Sequence, residues 1–373
     1  MEKLPLTIVK LLARTAGRRG MPVSSQGETL TISAIIPAHQ GGNAFARSLR
    51  SVLQADPKPD EVLVVADGSP EAAGEARALG ARVLEVAERR GPAYARNLGA
   101  AHVRGDIIAF VDADVLIRPE FFSRIAALFQ AEPDLAAIIG SYDDEPEAPN
   151  FLSQYKNLLH HYVHQEGRAD ASTFWGACGA IRRQVLLSLG GFDERIPRPA
   201  MEDVELGSRL RRAGHRIRLV KGLQVKHLKA WDARSLVLTD LFARAVPWTE
   251  LILRDRRLIN DLNLRMPYRV SVALVFALLG TLAGALAHPG WLGVSAGLSL
   301  ALLALNLPLY RFFARKRGRW FTFRAIGWHW FAYAYSGAGF LLGALRYAVG
   351  WRIIRALKPA GAPAMRDAGE LDG

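Results

Sequence analysis

Asp112 and Asp114 stand one residue apart, directly after the apolar run Asp106-Ile-Ile-Ala-Phe-Val111. Two carboxylates so spaced at a strand end can both face a cleft once the chain leaves extended geometry. They offer oxygen ligands only, which suits magnesium or manganese. Such an ion bridges a diphosphate and neutralises charge on it as it leaves. An isolated pair of this kind is an acidic turn, so its surroundings decide its meaning. Asp67 closes an earlier apolar run, Glu61-Val-Leu-Val-Val-Ala66. From a strand end its carboxylate can accept hydrogen bonds from a nucleotide base or ribose.

The elements that would position these acids follow from pattern. Residues 31–36, 61–66, 82–86 and 106–111 are short β-rich apolar runs. Helical segments fit between them at 44–54, 70–79 and 92–103, the later ones stopped by Gly80 and Gly105. Strands alternating with helices predict an α/β fold with a mostly parallel sheet. Ligands gather at the carboxyl ends of such strands, where Pro37-Ala38-His39, Asp67-Gly68-Ser69 and Asp112-Ala-Asp114 all fall. Beyond residue 119 the pattern is less regular. Pro119–Gln130 and Met201–Ala213 are expected as helices, the first with proline in its opening turn and the second stopped by Gly214.

The ordered motifs of residues 31–230 resemble family-2 glycosyltransferases of the GT-A, Rossmann-like nucleotide-sugar-binding fold. The matching runs are Ser33-Ala-Ile-Ile-Pro-Ala38, Val64-Val-Ala-Asp-Gly-Ser69, Gly91-Pro-Ala-Tyr-Ala-Arg-Asn-Leu-Gly99 and Gly105–Asp114. They continue through Trp175–Arg182, Gly190-Gly-Phe-Asp-Glu194 and Met201–Leu210. The resemblance implies that Pro37 and Ala38 lie by the nucleotide, that Asp67 contacts the base and that Arg96 lies near the nucleotide or diphosphate. It assigns Asp112 and Asp114 to ribose and a Mg or Mn ion, and His227 to a late histidine that approaches the metal or diphosphate. Glu202-Asp203 matches the family's acidic pair, whose Asp is the general base, with Glu202 and Trp175 on the acceptor side. Asp203 falls in the first turn of a helix, where the dipole favours the carboxylate by about 0.3–1 kcal/mol. An ionised Asp there can take a proton from an attacking hydroxyl, typically worth roughly 10²–10⁴-fold.

Two positions depart from the family pattern. Ala66 stands where many relatives have a further Asp, and His39 replaces an Asn- or Tyr-type position. The Gln-x-x-Arg-Trp signature of processive synthases is absent; Arg244-Ala-Val-Pro-Trp248 only echoes it. Transfer of a single sugar is therefore expected. Arg244 and Trp248 are candidates for an acceptor phosphate, with membrane anchoring as their other role. His160, His161 and His164 show no metal-ligand spacing and are expected to be structural.

The chain has 373 residues and a net charge of +13. Val270 to Tyr310 carries no Asp, Glu, Lys or Arg. Soluble helices need a wet face, and a bilayer span takes about 20 apolar residues, so two spans are expected, near 270–287 and 291–310. Arginines crowd both flanks: Arg254, Arg256, Arg257, Arg265 and Arg269 before, and Arg311, Arg315, Arg317 and Arg319 after. That placement favours a membrane surface over nucleic acid, for which no module is present, and puts the catalytic domain on the cytoplasmic face of the cell membrane. An aromatic stretch at 325–345 is expected as a re-entrant or interfacial helix, with a third span as the alternative. Residues 1–30 suggest a basic amphipathic segment, 233–269 interfacial helices and 352–373 a polar tail. Cys178 is the only cysteine, which excludes an internal disulfide.

The sequence therefore predicts a multi-pass, metal-dependent inverting glycosyltransferase. It would use a nucleotide sugar, UDP-linked in preference to GDP-linked because a base-contacting Asp suits uracil, and a lipid or lipid-linked acceptor. A non-catalytic nucleotide-sugar-binding membrane partner of a glycan-assembly complex is the alternative.

Overall fold

The computed structural model describes residues 30–196, 201–256 and 261–357, with side chains described as far as Gly350. The expected amphipathic segment before Leu30 and the polar tail from Lys358 lie outside the described residues.

Eight strands form one mixed sheet: β1 (Ile32–Ala38), β2 (Glu61–Asp67), β3 (Arg82–Val86), β4 (Ile107–Val111), β5 (Val115–Leu116), β6 (Leu135–Tyr142), β7 (Cys178–Arg182) and β8 (Arg216–His227). Their order is β3-β2-β1-β4-β7-β6-β8-β5. The first four are parallel and interleave with α1 (Asn43–Leu53), α2 (Pro70–Ala78) and α3 (Pro92–His102). Both faces of β1, β2 and β4 are buried, whereas β3 is a partly exposed edge strand. Ala34, Ile36 and Val64 pack on one side against Phe45 and Leu49 of α1, while Ile35, Leu63 and Val65 pack on the other. Burial on both faces is why β1, β2 and β4 read as unbroken apolar runs.

The second half departs from parallel order. After α4 (Phe121–Ala131), strand β6 leads into the long α5 (Phe151–Glu166). Strand β7 then inserts antiparallel between β4 and β6, with Cys178 opposite Val111. After α6 (Arg183–Ser188) and α7 (Glu202–Arg212), β8 runs parallel to β6 and its end pairs with β5, His227 opposite Val115. An antiparallel strand begins where its parallel neighbours finish. The start of β7 and the ends of β1, β2, β4, β6 and β8 therefore share one edge.

The remaining helices are α8 (Ala233–Leu238), a π-helix (Thr239–Ala245), α9 (Val246–Asp255), α10 (Met266–Ala285), α11 (Trp291–Leu305) and α12 (Leu307–Leu357). Among the described residues α10 is the one helix long and apolar enough to cross a bilayer, with mean hydropathy 1.6 and Phe276, Leu279 and Leu282 exposed. The second expected span, 291–310, falls on two helices. Helix α11 stops at Leu305, and α12 leaves on an axis bent by 64°. Its 15 residues reach only about 22 Å, so the pair could make one broken crossing. Pro308 favours the break, since it has no N–H to continue the helical hydrogen bonding back to the Ala304 carbonyl.

The aromatic stretch 325–345 is part of α12, whose helical course is interrupted at Gly318 (φ 82°). Its glycines permit close packing. A Cβ on residue 339 would lie 2.6 Å from the Ala245 Cβ, and one on residue 343 would lie 2.7 Å from the Val246 carbonyl. Small residues let helix backbones approach in this way. Gly343→Val is expected to push α12 off α9 and to destabilise the protein by about 1–3 kcal/mol, seen as a lower midpoint in thermal denaturation of the detergent-solubilised chain.

Candidate active site

Arg96 projects from α3 into the shared edge and is almost wholly buried. Its Nη2 donates to Asp112 Oδ1 at 2.8 Å and its Nη1 to Glu202 Oε1 at 2.6 Å. It therefore ties the end of β4 to the start of α7. The resemblance implies a place for Arg96 near the nucleotide or diphosphate; its guanidinium is enclosed between two acids. Gly176 is needed beside it, because a Cβ there would meet the guanidinium carbon at 2.8 Å. The next residue, Asn97, donates to the Phe192 carbonyl at 2.9 Å and to Glu194 at 2.8 Å, and accepts from the Phe192 N–H at 2.8 Å. Helix α3 thus pins the 190–194 turn as well.

Asp203 sits in the first turn of α7, as expected. The Gly176 N–H donates to its Oδ2 at 3.0 Å and the Val204 N–H to its Oδ1 at 2.8 Å. Burial, with repulsion from Glu202 added, raises its pKa to about 7, against the pull of Arg96 and the two amides. The surroundings outweigh the helix dipole.

Asp112 and Asp114 differ. Burial pushes Asp112 above the usual carboxylate range and repulsion from Asp114 adds to this, while Arg96 opposes it. Asp114 is also penalised by burial, yet His227 and the charge of Lys229 hold it below that range. His227 Nε2 lies 3.5 Å from Asp114 Oδ2. Strand pairing brings them together, since the Leu228 N–H donates to the Asp114 carbonyl at 2.9 Å. The His227 ring stacks on Tyr142 at 4.3 Å and 13°. Among the described residues no three side chains form a ready metal cage. Asp114 and His227 face one another as an oxygen and a nitrogen donor, a set that fits an ion whose other ligands come from phosphate oxygens.

Asp67 has a local duty. Both of its oxygens accept backbone N–H bonds at 2.7 Å, from Arg90 and Gly91, so it shapes the loop entering α3. A base contact would use the remaining lone pairs. Ala38 is buried at the end of β1 and Pro37 is partly exposed there. Trp175 packs edge-on to Tyr142 at 4.8 Å and lies against His160 and His164. His161 and His164 bond the Tyr142 and Gly140 carbonyls, the structural role expected of them.

The sequence model of glycosyl transferase family 2 matches residues 33–190. Most of the chain superimposes on a mannosyltransferase from Pyrobaculum calidifontis, solved in complex with GDP-Man and Mn2+. The TM-score is 0.52, at 18% identity over 91% of this chain and 94% of that one. Residues 33–190 form a family-2 glycosyltransferase domain. Its fold is GT-A. The pre-mycofactocin glycosyltransferase of Mycobacterium tuberculosis is 29% identical over 55% of this chain and 45% of its own length. The glucosyl-dolichyl phosphate glucuronosyltransferase of Haloferax volcanii is 24% identical over 43% of this chain and 55% of its own. The chain thus spans about half the length of these curated relatives.

The structure places Asp112, Asp114, Asp203, His227 and Trp175, all singled out from the sequence, near one edge of the sheet. Sequence reasoning missed Tyr142 and Asn97. Asn97 lay inside a quoted motif, whereas Tyr142 ends a strand that the pattern did not disclose. Arg96→Met is expected to break the buried Arg96–Glu202 pair, costing about 3–5 kcal/mol in denaturant unfolding; a residue that only touched donor would leave stability unchanged. For Asp203 the folded pKa lies above the unfolded value, so its stabilising effect is complete below about pH 4 and is lost as pH rises towards 7. The melting temperature of Asp203→Asn is therefore expected to gain on that of the parent between pH 5 and pH 8.

Proposed function

We propose that the chain is an inverting glycosyltransferase that moves one sugar from a nucleotide-sugar donor to a lipid-linked acceptor at the cytoplasmic face of the cell membrane. The observation that carries this reading is the shared sheet edge, where the Asp114–His227 pair lies beside the Asp112–Arg96–Glu202 bridge and Gly176 holds Asp203. A non-catalytic binding partner would have no use for a carboxylate tuned to about 7 there.

Asp203 is the general base. Its two backbone hydrogen bonds fix its orientation, and a pKa near working pH favours proton transfer. An acceptor hydroxyl gives its proton to Asp203 as its oxygen bonds to the anomeric carbon. The bond from that carbon to the nucleoside diphosphate breaks on the opposite face, and the sugar inverts. Asp114 and His227, with Asp112 behind them, would hold a magnesium or manganese ion, which supplies positive charge to the departing diphosphate. Asp67 and the loop it shapes would receive the base, with uracil preferred over guanine. Pro37 and Ala38 border the nucleotide, and Trp175 and Glu202 support the acceptor side.

Helix α10 and the bent pair α11–α12 would anchor the domain as a multi-pass membrane protein. That arrangement, with a relative named for a dolichyl phosphate glycoside, supports a lipid-borne acceptor.

Purified full-length protein with manganese should release nucleotide from one member of a panel of UDP- and GDP-sugars. Asp114→Asn should weaken nucleotide binding in the presence of metal. Asp203→Asn should lower kcat by roughly 10²–10⁴-fold with nucleotide affinity intact. Unchanged turnover in both variants would sink the assignment.

A further inference from the structure

A basic cluster surrounds Asp240, between the catalytic domain and the helices that follow it. Lys156, on α5, donates to both oxygens of Asp240 at 2.7 and 2.8 Å. Arg244 Nη1 donates to the same carboxylate at 2.9 Å, and the Tyr335 hydroxyl of α12 donates to it at 3.2 Å. The Lys156 and Asp240 side chains are 17% and 13% exposed. Two cations thus share one largely buried carboxylate, which neutralises only one of them. The guanidinium of Arg244 has five N–H donors. Among the described residues only Asp240 accepts from it, and its side chain is 34% exposed.

A third cation belongs to the same region. Lys229 follows His227 by two residues and lies 4.1 Å over the Trp231 ring. It has no ion pair with a described residue, and its charge is felt by Asp114 and feels that of Arg244. The route from the cluster to the metal pair is short. His160, one turn beyond Lys156, lies 4.6 Å from Tyr142, which stacks on His227. Two buried ring nitrogens, His160 Nδ1 and Trp248 Nε1, have no hydrogen-bond partner.

The backbone here is unusual as well. Asp240 and Arg244 sit on the seven-residue π-helix, a geometry that is rare and frequent at functional sites. Leu238 and Phe242 beside them are exposed, and the chain runs on from here to the apolar α10. The surplus positive charge therefore adjoins apolar surface on one side and the sugar-transfer edge on the other. A ligand with an anionic head and an apolar tail matches both.

We propose that Arg244, Lys229 and the Lys156–Asp240 pair form the subsite that holds the phosphate of a lipid-borne acceptor. This rests on the transferase reading above and names the chemistry of its acceptor. Arg244 presents a fork suited to phosphate oxygens, and Lys229 supplies a mobile point charge between that phosphate and Asp114. Asp240 keeps Lys156 and Arg244 in place without cancelling both.

The test uses full-length protein in phosphatidylcholine nanodiscs, with farnesyl phosphate, farnesol and inorganic phosphate as probes. Farnesyl phosphate should bind at least ten-fold more tightly than farnesol or inorganic phosphate. Arg244→Gln should erase the preference over farnesol, while Arg244→Lys should keep most of it. Manganese-dependent binding of nucleoside diphosphate should be unchanged in both variants, which also shows that they are folded. Equal binding of farnesyl phosphate and farnesol overturns the subsite, as does an Arg244→Gln variant that retains the preference. Parallel loss of nucleotide binding also overturns it, by placing Arg244 on the donor. Inorganic phosphate binding as tightly as farnesyl phosphate overturns the lipid assignment. Absence of sugar transfer with the phosphate preference intact would instead count against the transferase reading.

Discussion

Arg96 is the charge on which the active edge depends. Its guanidinium bridges Asp112 and Glu202, and the charge of Asp203 adds to theirs. One cation thus faces three acids on two elements. Taking such groups from water costs several kcal/mol per ion unless geometry and hydrogen bonds repay it. The surplus negative charge has a consequence. Asp112 and Asp203 both hold protons more strongly than ordinary carboxylates, and the edge is arranged to receive positive charge. Donor and acceptor sides are coupled through one side chain, because Asp112 ends β4 while Glu202 and Asp203 begin α7.

Helix α5 performs a comparable function between the catalytic domain and the apolar helices. One of its faces carries Lys156 toward Asp240, and His160 and His164 toward Trp175. The other carries Tyr155 and Leu158 into a cluster with Leu309, Tyr310 and Phe313 of α12. The Tyr155 hydroxyl lies 2.6 Å from His329 Nδ1. Lys316 pairs with Asp144, and Arg317 donates to Gln154 at 2.7 Å. The basic residues beyond the apolar run therefore do more than face a membrane surface. Several of them hold the domain against the helix that follows.

The parallel half of the domain was readable because β1, β2 and β4 are buried on both faces and glycines follow two of its three helices closely. Helix limits there agree with the structure to within about a residue or two. The second half was not readable for physical reasons. Strand β8 alternates Arg and Lys with apolar residues, and several of those cations are anchored by acids distant in sequence, as Arg216 is by Glu132 and Asp134. Helix α5 is packed on two faces, so its pattern lacks a single apolar stripe. The bend after Leu305 within the expected span 291–310 was not foreseen, because an average over composition hides a local signal such as Pro308.

The first acids considered show where the boundary lies. Sequence determined that Asp112 and Asp114 follow a buried strand, that Asp67 does the same and that Asp203 opens a helix, because these depend on local pattern and chain order. It could not determine that Asp112 is held by Arg96 while Asp114 is left to His227. That division depends on β7 entering antiparallel and on the end of β8 reaching β5, pairings between segments far apart in the chain. Only the folded sheet sets which charges meet, and the meeting of charges is what separates two otherwise identical carboxylates.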